Sequence, residues 1–316
     1  VKVRRRDLDN TGAIYIRVPG GYGDNLMATA VVEGLKRQYP DLQIFILTKR
    51  MDIFKNNPHV SMCYNTRAVL KKNSSLLEKA VTISYPPYGT LRALSVKRHY
   101  IDYMYDDLPL EVAKRCYRPQ IYLTEREINY RRRHFEKSAR PLVAISPYGG
   151  FTSRIQNKFY PVEKWRRIVD GLVKTGFNIV QLGRKKEGPV ISGAADWRNI
   201  GYRRSAAVLL HCDALVTHPG GFMHLATALS VPCVMLFAGA EDPKVSGYCD
   251  NLNLTAGLEC SPCWLEKPCE SRRCVEVVSP EVVVERTIEL VGSPRNAAKP
   301  DWRLQNYVRA GSLPPD

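Results

Sequence analysis

The sequence predicts an α/β protein of two domains, each built on a parallel sheet flanked by helices. Its 316 residues exceed the usual size of one hydrophobic core, and two domains of about 150 residues each are the natural division. Strand-like and helix-like segments alternate along the chain, and the alternation starts afresh after residue 140, as parallel sheets with helical crossovers require. An apolar fraction of 44% and a charged fraction of 25% are those of ordinary globular proteins, neither disordered nor membrane-spanning.

Residues 13–18 (AIYIRV) read as a buried strand, 25–38 as an amphipathic helix and 43–48 (QIFILT) as a second strand, together one β-α-β unit. From 49 to 105 the pattern is less regular. Residues 80–84 suit a strand, and the Tyr-rich run 100–105 shows no clear period. A helix from 125 to about 137 leads to Ala139, Arg140 and Pro141, where the domain boundary is placed, giving a first domain of 1–140. The second domain, 141–292, opens with the strand-like run 142–146 (LVAIS). A helix 162–175, a strand 178–182, a helix 203–210, a strand 214–217, a helix 221–229 and a strand 233–237 follow, with 280–291 as the closing helix. The tail 293–316, rich in Pro, Arg and Asn, reads as a surface segment. No repeat of 20–50 residues occurs, which excludes a solenoid.

Lys and Arg number 47 against 31 Asp and Glu, a formal net charge of +16. Such a field favours phosphates, nucleic acid or anionic lipid and does not choose among them. The basic start VKVRRRDLDNTG lacks an apolar run after it, and no stretch of about 18 apolar residues follows anywhere, so secretion and membrane spanning are not expected. Nine cysteines, an odd number, suit a reducing, cytoplasmic setting better than a disulfide framework.

After the first strand comes Val18-Pro19-Gly20-Gly21-Tyr22-Gly23-Asp24-Asn25, a glycine turn opening into a helix. Its backbone N–H groups can receive an oxyanion, though the spacing fits neither G-x-G-x-x-G nor a Walker loop. Asp24 would point into the ligand crevice of such a fold; the alternative is an N-cap aspartate. His218-Pro219-Gly220-Gly221-Phe222-Met223-His224 makes a second strand–Gly-Gly–helix cradle, suited to phosphate or merely a tight turn. His218 and His224 are candidate phosphate donors, or structural histidines. Arg154 and Lys158 lie in the loop 147–165, where cations could stabilise charge growing on a departing diphosphate, or simply be solvated.

These segments resemble the heptosyltransferases of glycosyltransferase family nine, whose GT-B architecture is two Rossmann-like domains facing a central cleft. The match rests on Gly23-Asp24-Asn25-Leu26-Met27, on Lys158-Phe159-Tyr160-Pro161-Val162-Glu163-Lys164-Trp165, and on Gly183-Arg184-Lys185-Lys186-Glu187. It continues in Gly221-Phe222-Met223-His224-Leu225-Ala226-Thr227-Ala228-Leu229, Val231-Pro232 and Asp242-Pro243, in the family's order. The resemblance implies an inverting transfer of a sugar from a nucleotide-diphosphate donor, ADP-heptose among the family's donors, to a lipopolysaccharide, glycan or protein acceptor. It makes Asp24, in the acceptor-side loop with Gly21, Tyr22 and Gly23, the catalytic base. Lys158, with Arg154 beside it, resembles the cation on the donor phosphates, and Glu187 resembles the carboxylate on the ribose. Gly220, Gly221, Phe222, Met223 and His224 would hold the diphosphate. The family's Asp-Thr-Gly is here Pro219-Gly220-Gly221, which lacks that carboxylate and that hydroxyl. An anionic glycolipid acceptor would place the protein at the cytoplasmic membrane face.

No catalytic metal is expected: Asp7-Leu8-Asp9 spells Asp-x-Asp but precedes the first strand. Cys260, Cys263, Cys269 and Cys274 form C-x2-C-x5-C-x4-C. Four thiolates on a short loop can close a tetrahedral zinc or iron site, and some relatives with cysteine-rich loops here resemble iron-binding protein heptosyltransferases. Reduced thiols or one disulfide are the other readings. Of the scattered Cys63, Cys116, Cys212, Cys233 and Cys249, those in apolar runs read as small core residues and not as nucleophiles. Two other functions stay open: a nucleic-acid-binding protein contacting phosphates through Arg131-Arg132-Arg133 and Arg203-Arg204, for which solvated helix faces are the competing account, and an inactive transferase-fold scaffold.

Overall fold

The computed structural model describes residues 12–72, 75–86, 98–130, 140–148, 156–265 and 269–293. The chain divides into two compact units, one of Val1–Pro86 with Arg98–Tyr122, the other of Pro87–Lys97 with Leu123–Asp316. Residues 123–130 and 140, given to the first domain by the sequence reading, group with the second unit.

The first unit is a parallel sheet in the order β3-β2-β1-β4, formed by β1 (Ala13–Val18), β2 (Gln43–Thr48), β3 (Met62–Asn65) and β4 (Val81–Thr82). Alternation in β1 sends Ile14, Ile16 and Val18 into the core and leaves Tyr15 and Arg17 on the other face, the period-2 signature of a strand. Ile14 pairs with Ile44 and Ile16 with Ile46 in register. Helix α1 (Tyr22–Gln38) buries Leu26, Met27, Ala30, Val31 and Leu35. It carries Lys36 and Arg37 in its last turn, where cations suit the helix dipole, and stops before Pro40, which cannot continue it.

Short helices α2 (Met51–Phe54), α3 (Thr66–Lys72) and α4 (Ser75–Glu78) fill the crossovers. The Tyr-rich run without a clear period is helix α5 (Tyr100–Asp106), with Tyr100, Ile101, Met104 and Tyr105 buried. The Tyr105 hydroxyl donates to the Ala30 carbonyl at 3.0 Å, tying α5 to α1.

The second unit begins with α6 (Glu125–Ile128), shorter than the helix expected there; residues 131–139, including Arg131–Arg133, lie outside the described residues. Its six-stranded sheet runs β10-β9-β8-β5-β6-β7, all parallel. The strands are β5 (Leu142–Ser146), β6 (Asn178–Gln181), β7 (Ala195–Asp196), β8 (Ala214–Thr217), β9 (Cys233–Ala238) and β10 (Leu252–Thr255). The helices between and after them are α7 (Val162–Lys174), α8 (Tyr202–Leu210), α9 (Gly221–Ala228), α10 (Pro243–Ser246), α11 (Arg273–Val277) and α12 (Pro280–Gly292).

Trp165, Ile168, Val169 and Leu172 of α7 are fully buried against Val143, Ile145, Val216 and Val283. Each such side chain contributes about 1.5–3 kcal/mol by leaving water. Pro280 opens α12 at a position that needs no amide proton, and Ser279 caps it by accepting from the Val282 N–H. In both units the strand order reverses beside the first strand, between β1 and β4 and between β5 and β8. Such reversals open the crevices at strand C-termini where ligands bind.

Candidate functional site

In the first unit the chain leaves β1 through Pro19, Gly20 and Gly21 and enters α1 at Tyr22. Gly20 has φ +88°, a conformation that costs a side-chain-bearing residue. A Cβ there would also sit 2.5 Å from Asp24 Cγ. Gly21 is the cap residue, so Asp24 is in the third helical position and not at the N-cap as the alternative reading had it. Its Oδ2 accepts from the Gly21 N–H at 2.7 Å, the return arm of a capping box. Asn25 is fully buried; its amide donates to the Gly21 carbonyl at 2.7 Å and accepts from the Thr48 hydroxyl at 2.6 Å. The turn is thereby fixed to the end of β2. Tyr22 lies under the Arg50 guanidinium, 4.6 Å from ring to cation, and burial with nearby Asp52 raises its hydroxyl pKa.

In the second unit, Ser146 and Thr217 end the paired strands β5 and β8 in register at the order reversal. The Ser146 hydroxyl is buried without a hydrogen-bond partner. The next residue after β8, His218, is fully buried. Burial lowers its pKa to about 3, helped by the positive charges of Lys158 and Arg272. It is therefore neutral. Its Nε2 accepts from the Tyr160 N–H at 2.9 Å, which puts the ring proton on Nδ1, an atom with no partner.

Gly220 caps α9 in extended backbone, and the Met223 and His224 N–H groups turn inward to its carbonyl. The Gly221 and Phe222 N–H groups head the helix, where intrahelical acceptors do not exist. Met223 is a core side chain, and its N–H is already taken by the Gly220 carbonyl. Phe222 leans on Tyr202, with ring centroids 5.7 Å apart, and the Tyr202 hydroxyl donates to the Gly221 carbonyl at 2.8 Å. His224 Nδ1 is 2.6 Å from the Tyr248 hydroxyl inside the core.

Lys158, in the short 3-10 turn Gln156–Lys158, forms an ion pair with Glu241, whose side chain is 1% exposed. The Ser246 hydroxyl donates to the same carboxylate. Sequence reasoning missed Glu241; its only signal was its place directly before Asp242-Pro243. Glu187 is buried, because Arg184 folds over it with Nε 2.7 Å from Oε1 while the Arg184 N–H donates to Oε2 at 3.1 Å. Arg154 and Asp7-Leu8-Asp9 lie outside the described residues.

Arg203 is neither a solvated residue nor a phosphate-seeking one. It is buried and forks onto Glu127 at 2.6 and 2.7 Å. Burial opposes the charged Glu127 carboxyl, but Arg203 and the Thr124 N–H outweigh it and hold the pKa at about 2.

All nine cysteines are free thiols, which does not support a disulfide in the C-terminal loop. Burial and the nearness of Cys263, Cys260 and Cys269 raise the Cys274 pKa, while the Arg272 N–H and Ser271 lower that of Cys269. Cys260, Cys263 and Cys269 thus lie within electrostatic reach of Cys274, although among the described residues no group of three or more His, Cys, Asp or Glu is arranged to hold a metal ion. Cys212 and Cys233 are core residues, whereas Cys249 is exposed. No described helix is long and apolar enough to cross a membrane.

The family model for Glycosyltransferase family 9 (heptosyltransferase) matches residues 55–274, more than half of the chain. The chain belongs to glycosyltransferase family 9. It is 27% identical to lipopolysaccharide heptosyltransferase 2 of Escherichia coli K12 over 139 residues, a match spanning 40% of this chain and 39% of that protein. Among solved structures it is similar to E. coli ADP-heptose lps heptosyltransferase II, with a TM-score of 0.61 at 16% identity over 88% of this chain and 98% of that one. It is also similar to the iron-containing dodecameric glycosyltransferase TibC of enterotoxigenic E. coli H10407, with a TM-score of 0.65 at 16% identity over 89% and 78%. The fold of this family-9 chain is therefore the α/β GT-B class that the sequence predicted.

Proposed function

We propose that this family-9 protein is an inverting glycosyltransferase that moves a heptose from ADP-heptose to an anionic glycolipid, glycan or protein acceptor. The observation that carries the reading is the crevice at the reversal between β5 and β8. There β8 runs through His218 into the glycine-capped start of α9, and Lys158, paired with the buried Glu241, lies within electrostatic reach of His218, a chemistry suited to a nucleoside diphosphate.

In the proposed step the acceptor hydroxyl oxygen attacks the anomeric carbon, the bond from that carbon to the diphosphate oxygen breaks, and the diphosphate leaves with the electron pair. Asp24 takes the hydroxyl proton, and attack opposite the leaving group inverts the carbon. Lys158, with Arg154, neutralises the departing diphosphate beside the N–H groups at Gly221 and Phe222, and Glu187 accepts from the ribose hydroxyls. This division of labour supplies a base and an electrostatic trap without a Lewis acid.

The net charge of +16 suits a phosphorylated acceptor at the cytoplasmic membrane face. The four thiols at Cys260, Cys263, Cys269 and Cys274 are by their chemistry a soft donor set suited to structural zinc or iron. Metal analysis of fresh protein finding far less than one ion per chain would reject that assignment. A thermal-shift panel tests the donor: ADP-heptose raises the melting temperature more than UDP- or GDP-sugars, since a ligand of the native state stabilises it. No shift with any nucleotide sugar would refute the reading. Transfer is expected to persist in EDTA, and activity abolished by EDTA and restored by magnesium or manganese would overturn the metal-free step.

A further inference from the structure

The Lys158–Glu241 ion pair is clamped from both sides by one element, the cysteine loop. On the lysine side, the buried Asn157 donates from Nδ2 to the Leu265 carbonyl at 3.1 Å and accepts at Oδ1 from the Cys269 N–H at 2.8 Å. Arg272 donates to the Phe159 carbonyl, one residue beyond Lys158. On the glutamate side, the Cys263 N–H donates to the Gly239 carbonyl at 2.9 Å and the Trp264 N–H to the Ala240 carbonyl at 3.1 Å, immediately before Glu241. Gly239 permits this approach, because a Cβ there would stand 2.7 Å from Cys274 Cβ and closer still to the Ser261 hydroxyl.

Both partners of the ion pair are therefore anchored to the same loop, and Asn157, the neighbour of Lys158, joins it to the lysine's segment through its own side chain, beside the Arg272 contact. A flexible lysine bound only by its charge would sample many positions; one whose backbone is held on either side does not. We propose that Asn157 is a positioning residue, which fixes Lys158 on the cysteine loop in the geometry that receives the donor's diphosphate. The proposal rests on the reading of Lys158 as the diphosphate-binding cation.

The test is calorimetric titration of ADP, and of adenosine by competition, against the full chain and its Asn157→Ala, Lys158→Ala and doubly substituted forms. Asn157→Ala is expected to weaken ADP binding about tenfold while leaving adenosine within about twofold, because only the phosphates meet Lys158. Adding Asn157→Ala to Lys158→Ala is expected to cost nothing more. A purely structural role would weaken both ligands alike and add its loss to that of Lys158→Ala; either result overturns the proposal. ADP affinity unchanged in Asn157→Ala but lowered in Lys158→Ala rejects the positioning role alone, whereas affinity unchanged in Lys158→Ala rejects the reading of Lys158 as well. If Asn157→Ala shows no cooperative melting, Asn157→Asp keeps the acceptor for the Cys269 N–H and loses the donor to Leu265. That variant is expected to lose part of the ADP affinity and none of the adenosine affinity, and unchanged ADP binding in it overturns the proposal.

Discussion

After β1 the chain enters α1 through Gly20 and Gly21 and sets a carboxylate in the first helical turn; after β8 it enters α9 through Gly220 and Gly221 and sets none there. The first turn needs a left-handed glycine, since Gly20 has φ +88°. The second has Gly220 at φ 164°, extended backbone that other residues also adopt. Asp24 itself is held by the Gly21 N–H, and the Asn25 amide holds the Gly21 carbonyl, both uncharged groups. Around the second turn lie a lysine, an arginine, a glutamate and a neutral histidine. One strand–glycine–helix device therefore serves two chemistries: a carboxylate oriented by the backbone, and an N–H cradle whose charge comes from neighbouring loops.

The sharpest way to break this contrast is Asp24→Asn. The amide keeps an acceptor for the Gly21 N–H but cannot take a proton, so turnover should fall about 10²–10⁴-fold with ADP affinity unchanged in calorimetry. Near-normal turnover would reduce Asp24 to a helix cap. Gly20→Ala attacks the same turn through its backbone. The left-handed φ and the encounter with the Asp24 carboxylate should cost about 1–3 kcal/mol in denaturant unfolding, and turnover should drop as the carboxylate is displaced. Stability equal to that of the unsubstituted protein would show that the turn has no special conformation.

The smallest effect belongs to the second turn and appears with pH. His218 has a folded pKa of about 3 against about 6.5 unfolded, so between these values the unfolded chain binds the extra proton. Its contribution is whole above about pH 6.5 and is lost as pH falls toward 3, by about 1–2 kcal/mol at pH 5. His218→Gln should flatten that part of the stability–pH curve, and an unchanged slope would place the acid sensitivity elsewhere.

Sequence periodicity located β1, β2, β5, β8 and β9 to within a residue, because buried parallel strands are short apolar runs bounded by turns. It did not recognise α5, where tyrosines occupy the buried positions and blur the apolar count, nor β3, whose residues are all partly or fully exposed. The glycine turns were legible because turn chemistry is local. Glu241, Asn157 and the Glu127–Arg203 pair were not, since each owes its role to a partner between 76 and 112 residues away, and no local spacing encodes such a meeting.

Because Lys158 already holds Glu241, the lysine in the resting protein is a neutralised charge and not an open trap. A single small anion gains little by displacing a carboxylate at the cost of its own hydration. Under the proposed function, a diphosphate would share the ammonium group while filling the N–H groups at Gly221, and the pairing would then act as a threshold that selects polyvalent, well-oriented ligands over the chloride and free phosphate of ordinary solution.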